Sequence, residues 1–191
     1  PLPTFEATNF VLDSAGNNSF LRATSGDGVG SPYTLVDIYG VQGITGSLNY
    51  ELANAIDASP TQAWESLDPL TNGVRNSGFV PLIFNGDLEG NRNAINDLFI
   101  RQYPAAGGLV DTGLFSDLGD NARVSNFSIL NADVAGGRVG ILAGSNGGFS
   151  QGINVTGTVV AYGTAGGGLN GFMPFGVLRD SAADVTISDG I

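Results

Sequence analysis

The stretch RVSNFSILNADVAGGRVGILAGSNGGFSQGINVTGTVVAYG, residues 123–163, contains one pattern twice. An alternating apolar and polar run ends in a glycine cluster, and a second such run follows it. Alternation with a period of two residues indicates β-strands, and glycine clusters between the runs indicate turns. The stretch therefore predicts strands that return at a regular interval.

The interval continues along the chain. AINDLFI (94–100) aligns with RVSNFSI (123–129) at an offset of 29 residues, Phe127 matches Ile153 at 26, and Ile153 matches Val185 at 32. A second marker, a glycine followed by two apolar residues, repeats at 113–115, 140–142 and 171–173. Repeats of roughly 20 to 50 residues are typical of solenoids and propellers.

We therefore predict an all-β fold, a parallel β-solenoid (β-helix) with coils of about 29 residues. Ile100, Ile129 and Val155 are expected directly above one another. Glycines, including four Asn-Gly pairs, are expected to turn the corners because corners require positive φ. An antiparallel β-sandwich with glycine-rich turns is the alternative. Helical signals are almost missing; the stretch 50–64, through ELANAIDA, favours a helical turn or two.

Charge and composition exclude several function classes. Apolar residues make up 42% of the 191 residues, enough for a folded core, whereas charged residues make up only 13%. Seven arginines and no lysine stand against eighteen carboxylates, a net charge of −11. That balance argues against nucleic acid and anionic lipid as partners and fits an extracellular protein. No apolar run approaches the roughly 20 residues of a membrane helix, so no membrane insertion is expected.

Two residue types that carry much protein chemistry are absent. The chain has no cysteine and no histidine, which removes disulfides, thiolate chemistry, the Ser-His-Asp triad and most zinc and haem ligand sets. These absences remove much of the usual catalytic chemistry but leave carboxylates; together with the resemblance given below, they lead us to expect no enzyme, no catalytic residues and no cofactor or metal site. The chain begins at Pro1 rather than Met, so we expect an upstream segment, such as a signal peptide, to have been removed.

An ordered set of motifs carries a family resemblance. The segments are PYTLVDIYGVQGI (32–44), NYELANAIDAS (49–59), GFVPLIFNGDLEGNRNAINDLFI (78–100), GLFSDLGDNARVSNFSI (113–129) and GILAGSNGGFSQGINVTGTV (140–159). Together they resemble the GLUG-motif segments of bacterial filamentous-haemagglutinin-like secreted surface proteins. The positions that match are Tyr50, Leu52, Ile56 and Asp57, the loop tryptophan Trp64, and the turn residues Phe84, Gly86, Gly90 and Asn91.

The sequence departs from the family pattern in two places. Leu88-Glu89 stands where the family tends to have Phe-Asp, and the last repeat, 163–189, is diverged. The resemblance implies a right-handed parallel β-solenoid, a secreted location at or beyond the cell surface, and no catalysis.

Three kinds of candidate site were weighed against structural roles. Asp117 with Asp120, and Asp87 with Glu89, are the carboxylate pairs that could act in catalysis, but aspartate is also favoured in turns. The acidic, glycine-rich segments 25–31 and 86–91 could bind calcium, although neither fits a known calcium loop. Trp64, Tyr50 and Tyr103 could stack on sugar, but core or lid positions are favoured for them.

The ends of a solenoid suggest its function. We see no amphipathic capping helix in 1–31 or after 180, and both ends read as strands, including TFEATNFVLD (4–13), SFLRAT (19–24) and ADVTISDGI (183–191). Because unpaired end coils invite pairing, residues 1–31 are predicted to be a strand segment that caps or pairs with another subunit, and 32–191 the solenoid.

These observations predict a structural extracellular protein of the cell surface, a fibre-forming subunit or adhesin stalk that assembles by strand pairing or end-to-end stacking. Its expected partner is a homo-polymer or a longer chain of the same fold, with a surface glycan or receptor as a further partner. A carbohydrate-binding or polysaccharide-degrading β-helix protein is the alternative.

Overall fold

The computed structural model describes residues 21–66, 76–103 and 109–190. Within these ranges the chain forms short strands, one α-helix and one 3₁₀ helix (Ser59–Ala63), and no helix there combines the length and the apolar character needed to cross a bilayer. The elements are β1 (Tyr33–Leu35), α1 (Ile38–Gln42), β2 (Asn49–Leu52), β3 (Ile56–Asp57), β4 (Glu65–Ser66), β5 (Asn76–Gly78), β6 (Leu82–Phe84), β7 (Asp87–Glu89), β8 (Ala94–Asn96), β9 (Phe99–Arg101), β10 (Asp111–Thr112), β11 (Phe115–Leu118), β12 (Arg123–Val139), β13 (Ala143–Asn146), β14 (Phe149–Gly166), β15 (Asn170–Phe172), β16 (Val177–Arg179) and β17 (Ala182–Asp189).

These strands form two sheets. β6, β11, β13 and β15 make the smaller sheet, and the other thirteen strands make the larger one. Among the described strands, β5 pairs antiparallel with β4 and β9, and the remaining strand pairs are parallel. The all-β prediction is confirmed. Each pass of the chain lies in parallel on the pass before it, and we call one such pass a layer.

Equivalent apolar residues of successive layers lie side by side in the core. One such ladder runs through β3, β8, β12, β14 and β17 and consists of Ile56, Ile95, Ile129, Val155 and Ala183. Its first four members are buried, with at most 1% of their surface exposed. Burying such side chains contributes roughly 1.5 to 3 kcal/mol each, so the ladders are the main source of stability.

The predicted register is correct in two places and wrong in three. Phe127 pairs with Ile153, and Ile129 pairs with Val155, as expected. Ile100, however, pairs with Val134 rather than lying on Ile129. The offset of 29 fails there because the loop that follows β9 lengthens this layer.

The second error concerns the last layer. Val185 pairs with Gly157 rather than with Ile153. Sliding a strand by two or four residues preserves its alternation, so the pattern alone cannot choose among such registers. The third copy of the glycine marker shows the same error. The repeat would place Leu142 beside Met173, but the Leu142 N–H donates a hydrogen bond to the oxygen of Leu169.

Asparagine and aspartate share the corners with glycine. Between the first two strand segments of successive layers, Asn126 (φ 58°), Gly152 (φ 66°) and Asp180 (φ 47°) occupy one column in the left-handed region. Asparagine and aspartate tolerate that region because their short side chains bond locally. The described Asn-Gly pairs do not supply positive φ; Gly86, for example, is needed because a Cβ there would lie 2.1 Å from the Leu48 oxygen.

The helical prediction was wrong in position. Residues 49–57 form β2 and β3, and only a 3₁₀ helix (Ser59–Ala63) follows, because Tyr50 and Leu52 alternate into the core. The α-helix lies instead at Ile38–Gln42, where Asp37 caps it by accepting a hydrogen bond from the Gly40 N–H at 2.9 Å.

For the segment 1–31, TFEATNFVLD (4–13) lies outside the described residues, and 21–24 forms no strand.

Candidate functional site

The last layer, β15 to β17, carries an exposed apolar surface. Five of its large apolar side chains are between 43% and 84% exposed. We call this surface the end face; its members are Phe172, Met173, Phe175, Val177 and Ile187. Ile187 continues a core ladder, since Val159 in the layer before it is fully buried. Val177 and Phe172 do not continue core ladders, because Val177 pairs with the half-buried Phe149 and Phe172 pairs with Ser145. The end face thus combines a core position with outward-facing ones.

The backbone of this layer also has a free edge. β17 is eight residues long and pairs with β14 along one side. No strand of the described residues pairs with its other side. An edge strand that presents unpaired N–H and C=O groups is a template for pairing with another strand.

The opposite end of the stack is closed. The main chain of Thr34 in β1 bonds to Thr24 and Ser25, with the Thr24 N–H donating to the Thr34 oxygen at 2.9 Å. All five residues of α1 are buried, and the ring of Tyr39 packs on Trp64 at a centroid distance of 5.3 Å. The sequence gives little sign of this cap because the helix is only five residues long and lies at 38–42, within the predicted solenoid rather than in 1–31 or after 180.

The Gln42 side chain fixes the cap to the next layers. Its amide nitrogen donates to the Val80 oxygen, and its amide oxygen accepts from the Val80 N–H, both at 2.9 Å. Asp37 forms an ion pair with Arg22 in addition to capping α1. The helix, its N-terminal cap and the next layers are thus tied together by polar contacts as well as by burial.

The predicted carboxylate pairs have different surroundings. Asp117 and Asp120 line one open depression of about 410 Å³ together with Ile83 and Asn85. Glu89 has a structural role, because its carboxylate accepts hydrogen bonds from the Ser125 hydroxyl at 2.8 Å and from the Asn126 amide at 3.1 Å, both in the neighbouring layer.

The acidic loop 25–31 is held together by its own carboxylate. Asp27 accepts hydrogen bonds from the N–H groups of Val29, Gly30 and Ser31 at 2.8 to 2.9 Å. Those bonds, first that from Ser31 and then that from Val29, hold the pKa of Asp27 below its usual value. Across 21–66, 76–103 and 109–190, no group of three or more acidic, histidine or cysteine side chains is placed to hold a metal ion.

Two of the three aromatic candidates are buried. Trp64 and Tyr50 are 1% and 2% exposed, so neither can stack on a sugar in this structure. Tyr103 is partly exposed and stacks on Tyr162 at a centroid distance of 5.2 Å. Burial, and then a hydrogen bond to Tyr103, raise the pKa of the Tyr162 phenol.

Five of the described arginines have partners that the sequence did not indicate. Three of them form ion pairs with aspartates: Arg22 with Asp37, Arg101 with Asp133 and Arg138 with Asp111. The other two, Arg123 and Arg179, lie over the ring of Phe149. No sequence signal links these three residues, because the layer register alone brings them together.

Comparisons with known proteins give one sequence relative and one structural neighbour. No family model matches the chain. Halomucin from Haloquadratum walsbyi is 33% identical over 169 residues, which cover 83% of this chain and 2% of halomucin. A crystal structure of a candidate immunoglobulin A1 protease from Bacteroides ovatus matches with a TM-score of 0.60 at 18% identity, over 86% of this chain and 50% of that one.

These matches differ in what they establish. The chain spans about 2% of the length of halomucin and half of the length of the structural neighbour. At 18% identity the structural match shows a shared fold alone.

Proposed function

We propose that this chain is a structural, non-catalytic segment of an extracellular surface protein, in which the layers form a right-handed parallel β-solenoid of the GLUG type. The parallel pairing of β12 with β14, and of β14 with β17, supports a solenoid over an antiparallel sandwich. The similarity to a segment of halomucin, together with the net charge of −11, supports a surface location.

The end face is the observation that carries the assembly role. Five exposed apolar side chains and the free edge of β17 occur together on the last layer. A further β-layer, from the same protein or from another molecule, would bury the side chains and pair the edge at once. The closed first end makes head-to-tail stacking of identical subunits less suitable than addition at the end face. The chain would thus act in a stalk through the last layer, since a fibre of identical subunits would need both ends open.

Sedimentation velocity over a range of protein concentrations tests this role. The parent chain should form larger species as concentration rises, more readily in about 1 M salt, where the Debye length of about 3 Å screens the repulsion between acidic molecules. Ile187→Asp and Phe175→Asp should remain monomeric because each places a charge on the end face. Ile83→Asp is the matched control, since Ile83 is 74% exposed but lies away from the last layer.

Two results would count against the proposal. One is a parent chain that stays monomeric at every concentration and salt. The other is a loss of association in Ile83→Asp equal to that in Ile187→Asp, which would mean that added charge rather than the end face is responsible.

A further inference from the structure

Two arginines and a phenylalanine meet on the outer surface of the larger sheet. The guanidinium carbon of Arg123 lies 5.7 Å from the centroid of the Phe149 ring, and that of Arg179 lies 5.6 Å from it. We call these residues the arginine–phenylalanine cluster. Both arginines are exposed, and Phe149 is half-buried. Both distances are within the range of about 6 Å over which a guanidinium is attracted to an aromatic face.

The register explains why the cluster is specific to the folded chain. Arg123 pairs with Phe149, and Phe149 pairs with Val177 in the next layer. Arg179 pairs with Gln151, two residues further along the same strand as Phe149. Three layers therefore contribute one outward-facing group each, and Val177, 43% exposed, adds an apolar contact beside them.

The surroundings of the cluster differ from those of three other arginines. Arg22, Arg101 and Arg138 each bond to an aspartate, whereas neither cluster arginine forms an ion pair within the described residues. The nearest acidic neighbours in register are Asp87, opposite Arg123, and Asp180, whose carboxylate accepts from the Gln151 amide at 3.2 Å. What distinguishes the cluster from the exposed Arg92 is that two guanidinium groups share one aromatic ring.

We propose that the arginine–phenylalanine cluster binds a carboxylate-bearing sugar, a uronate unit of an acidic polysaccharide. A guanidinium donates two parallel hydrogen bonds to a carboxylate, a geometry that a lysine cannot reproduce. The apolar face of the sugar ring packs on Val177 and the edge of Phe149, as amphipathic ligands do on such surfaces.

Charge spacing favours a sugar over an acidic peptide. An acidic peptide carries closely spaced carboxylates, and Asp87 and Asp180 would repel some of them. A uronate glycan brings one carboxylate per ring, separated by uncharged faces. Val177 and Arg179 lie on the last layer, so sugar binding is measured at a concentration where the chain is monomeric, and Ile187→Asp separates the two roles because it changes the end face outside this site.

Calorimetric titration with a short oligogalacturonate tests the site. The parent chain should bind it and should not bind a neutral oligosaccharide of the same length. Arg123→Gln and Arg179→Gln should each weaken binding roughly tenfold or more, because each loses a charge-assisted hydrogen-bonding group. Arg123→Lys should lose part of the affinity, since it keeps the charge but not the planar fork.

Arg92→Gln is the matched control for loss of one positive charge, because Arg92 is exposed and lies outside the cluster. It should change the affinity less than about twofold. Thermal unfolding of each variant, at a concentration where the chain is monomeric, establishes that it is folded.

Three outcomes would overturn the inference. They are absence of oligogalacturonate binding by the parent chain, equal weakening in Arg92→Gln and Arg123→Gln, and equally tight binding of a polyglutamate peptide. The last would show that the cluster recognises carboxylates without a sugar.

Discussion

The two ends of the layer stack use apolar residues in opposite ways. At the first end, α1 and the pairing of Thr34 with Thr24 and Ser25 cover the core, and Ile38 and Val41 are at most 1% exposed. At the last layer, Phe175 is 84% exposed and Ile187 is 47% exposed. An apolar side chain in this fold therefore contributes more to stability where a neighbouring layer or the cap covers it than where it faces water.

The largest expected difference is between two isoleucines that are truncated identically. Ile129→Ala should lower the free energy of unfolding by about 2 to 5 kcal/mol, because Ile129 is fully buried between Ile95 and Val155. Ile187→Ala should lower it by less than about 1 kcal/mol, because about half of that side chain is already in water. Urea unfolding at low protein concentration measures both.

The dependence on protein concentration further tests the contrast between Ile129→Ala and Ile187→Ala. If the end face is covered by association, the effect of Ile187→Ala should grow as the protein concentration rises, whereas that of Ile129→Ala should stay constant. Equal losses for the two variants at low concentration would contradict the contrast between the ends.

An intermediate effect is expected at the cap. Asp37→Ala should lower the free energy of unfolding by about 1 to 2 kcal/mol, because it removes the hydrogen bond to the Gly40 N–H and the ion pair with Arg22. Asp184→Ala, at an exposed position on β17, should stay within about 0.5 kcal/mol of the parent chain. Thermal unfolding of both variants compares the two ends, and a stable Asp37→Ala chain would mean that α1 does not close the first end.

The smallest effect concerns the loop beside the first end. Because hydrogen bonds lower the pKa of Asp27 in the folded chain, its contribution to stability is present above the unfolded pKa and is lost as pH falls through the folded pKa. Asp27→Asn should therefore be slightly less stable than the parent chain near neutral pH and equal to it in strong acid. Urea unfolding at the two pH values measures the gap, and a gap that does not change with pH would be inconsistent with this account.

Sequence reasoning succeeded where local chemistry and structure coincide. The alternation in 123–163 gave the strands β12 to β14, and the 26-residue offset gave the pairing of Phe127 with Ile153. It failed where spacing was extrapolated across a loop, as for Ile100. The cap was missed because a five-residue helix has almost no periodicity, and its stability comes from the Asp37 cap, the contact of Gln42 with Val80 and burial rather than from helix propensity.

The candidate sites show the same division. The sequence marked Trp64, Tyr50 and Tyr103 as aromatic, but only the fold shows that the first two are buried. Arg123, Phe149 and Arg179 are far apart in the sequence, and the layer register alone makes them neighbours.

The sequence by itself determined the strand-forming character of the chain, its acidic charge and its lack of cysteine and histidine, because these depend on residue identity and period. The tertiary structure decided which residues pair, which end is closed and which surface stays apolar. The reason is that alternation with a period of two is satisfied by many registers, and only the packing of whole layers selects one.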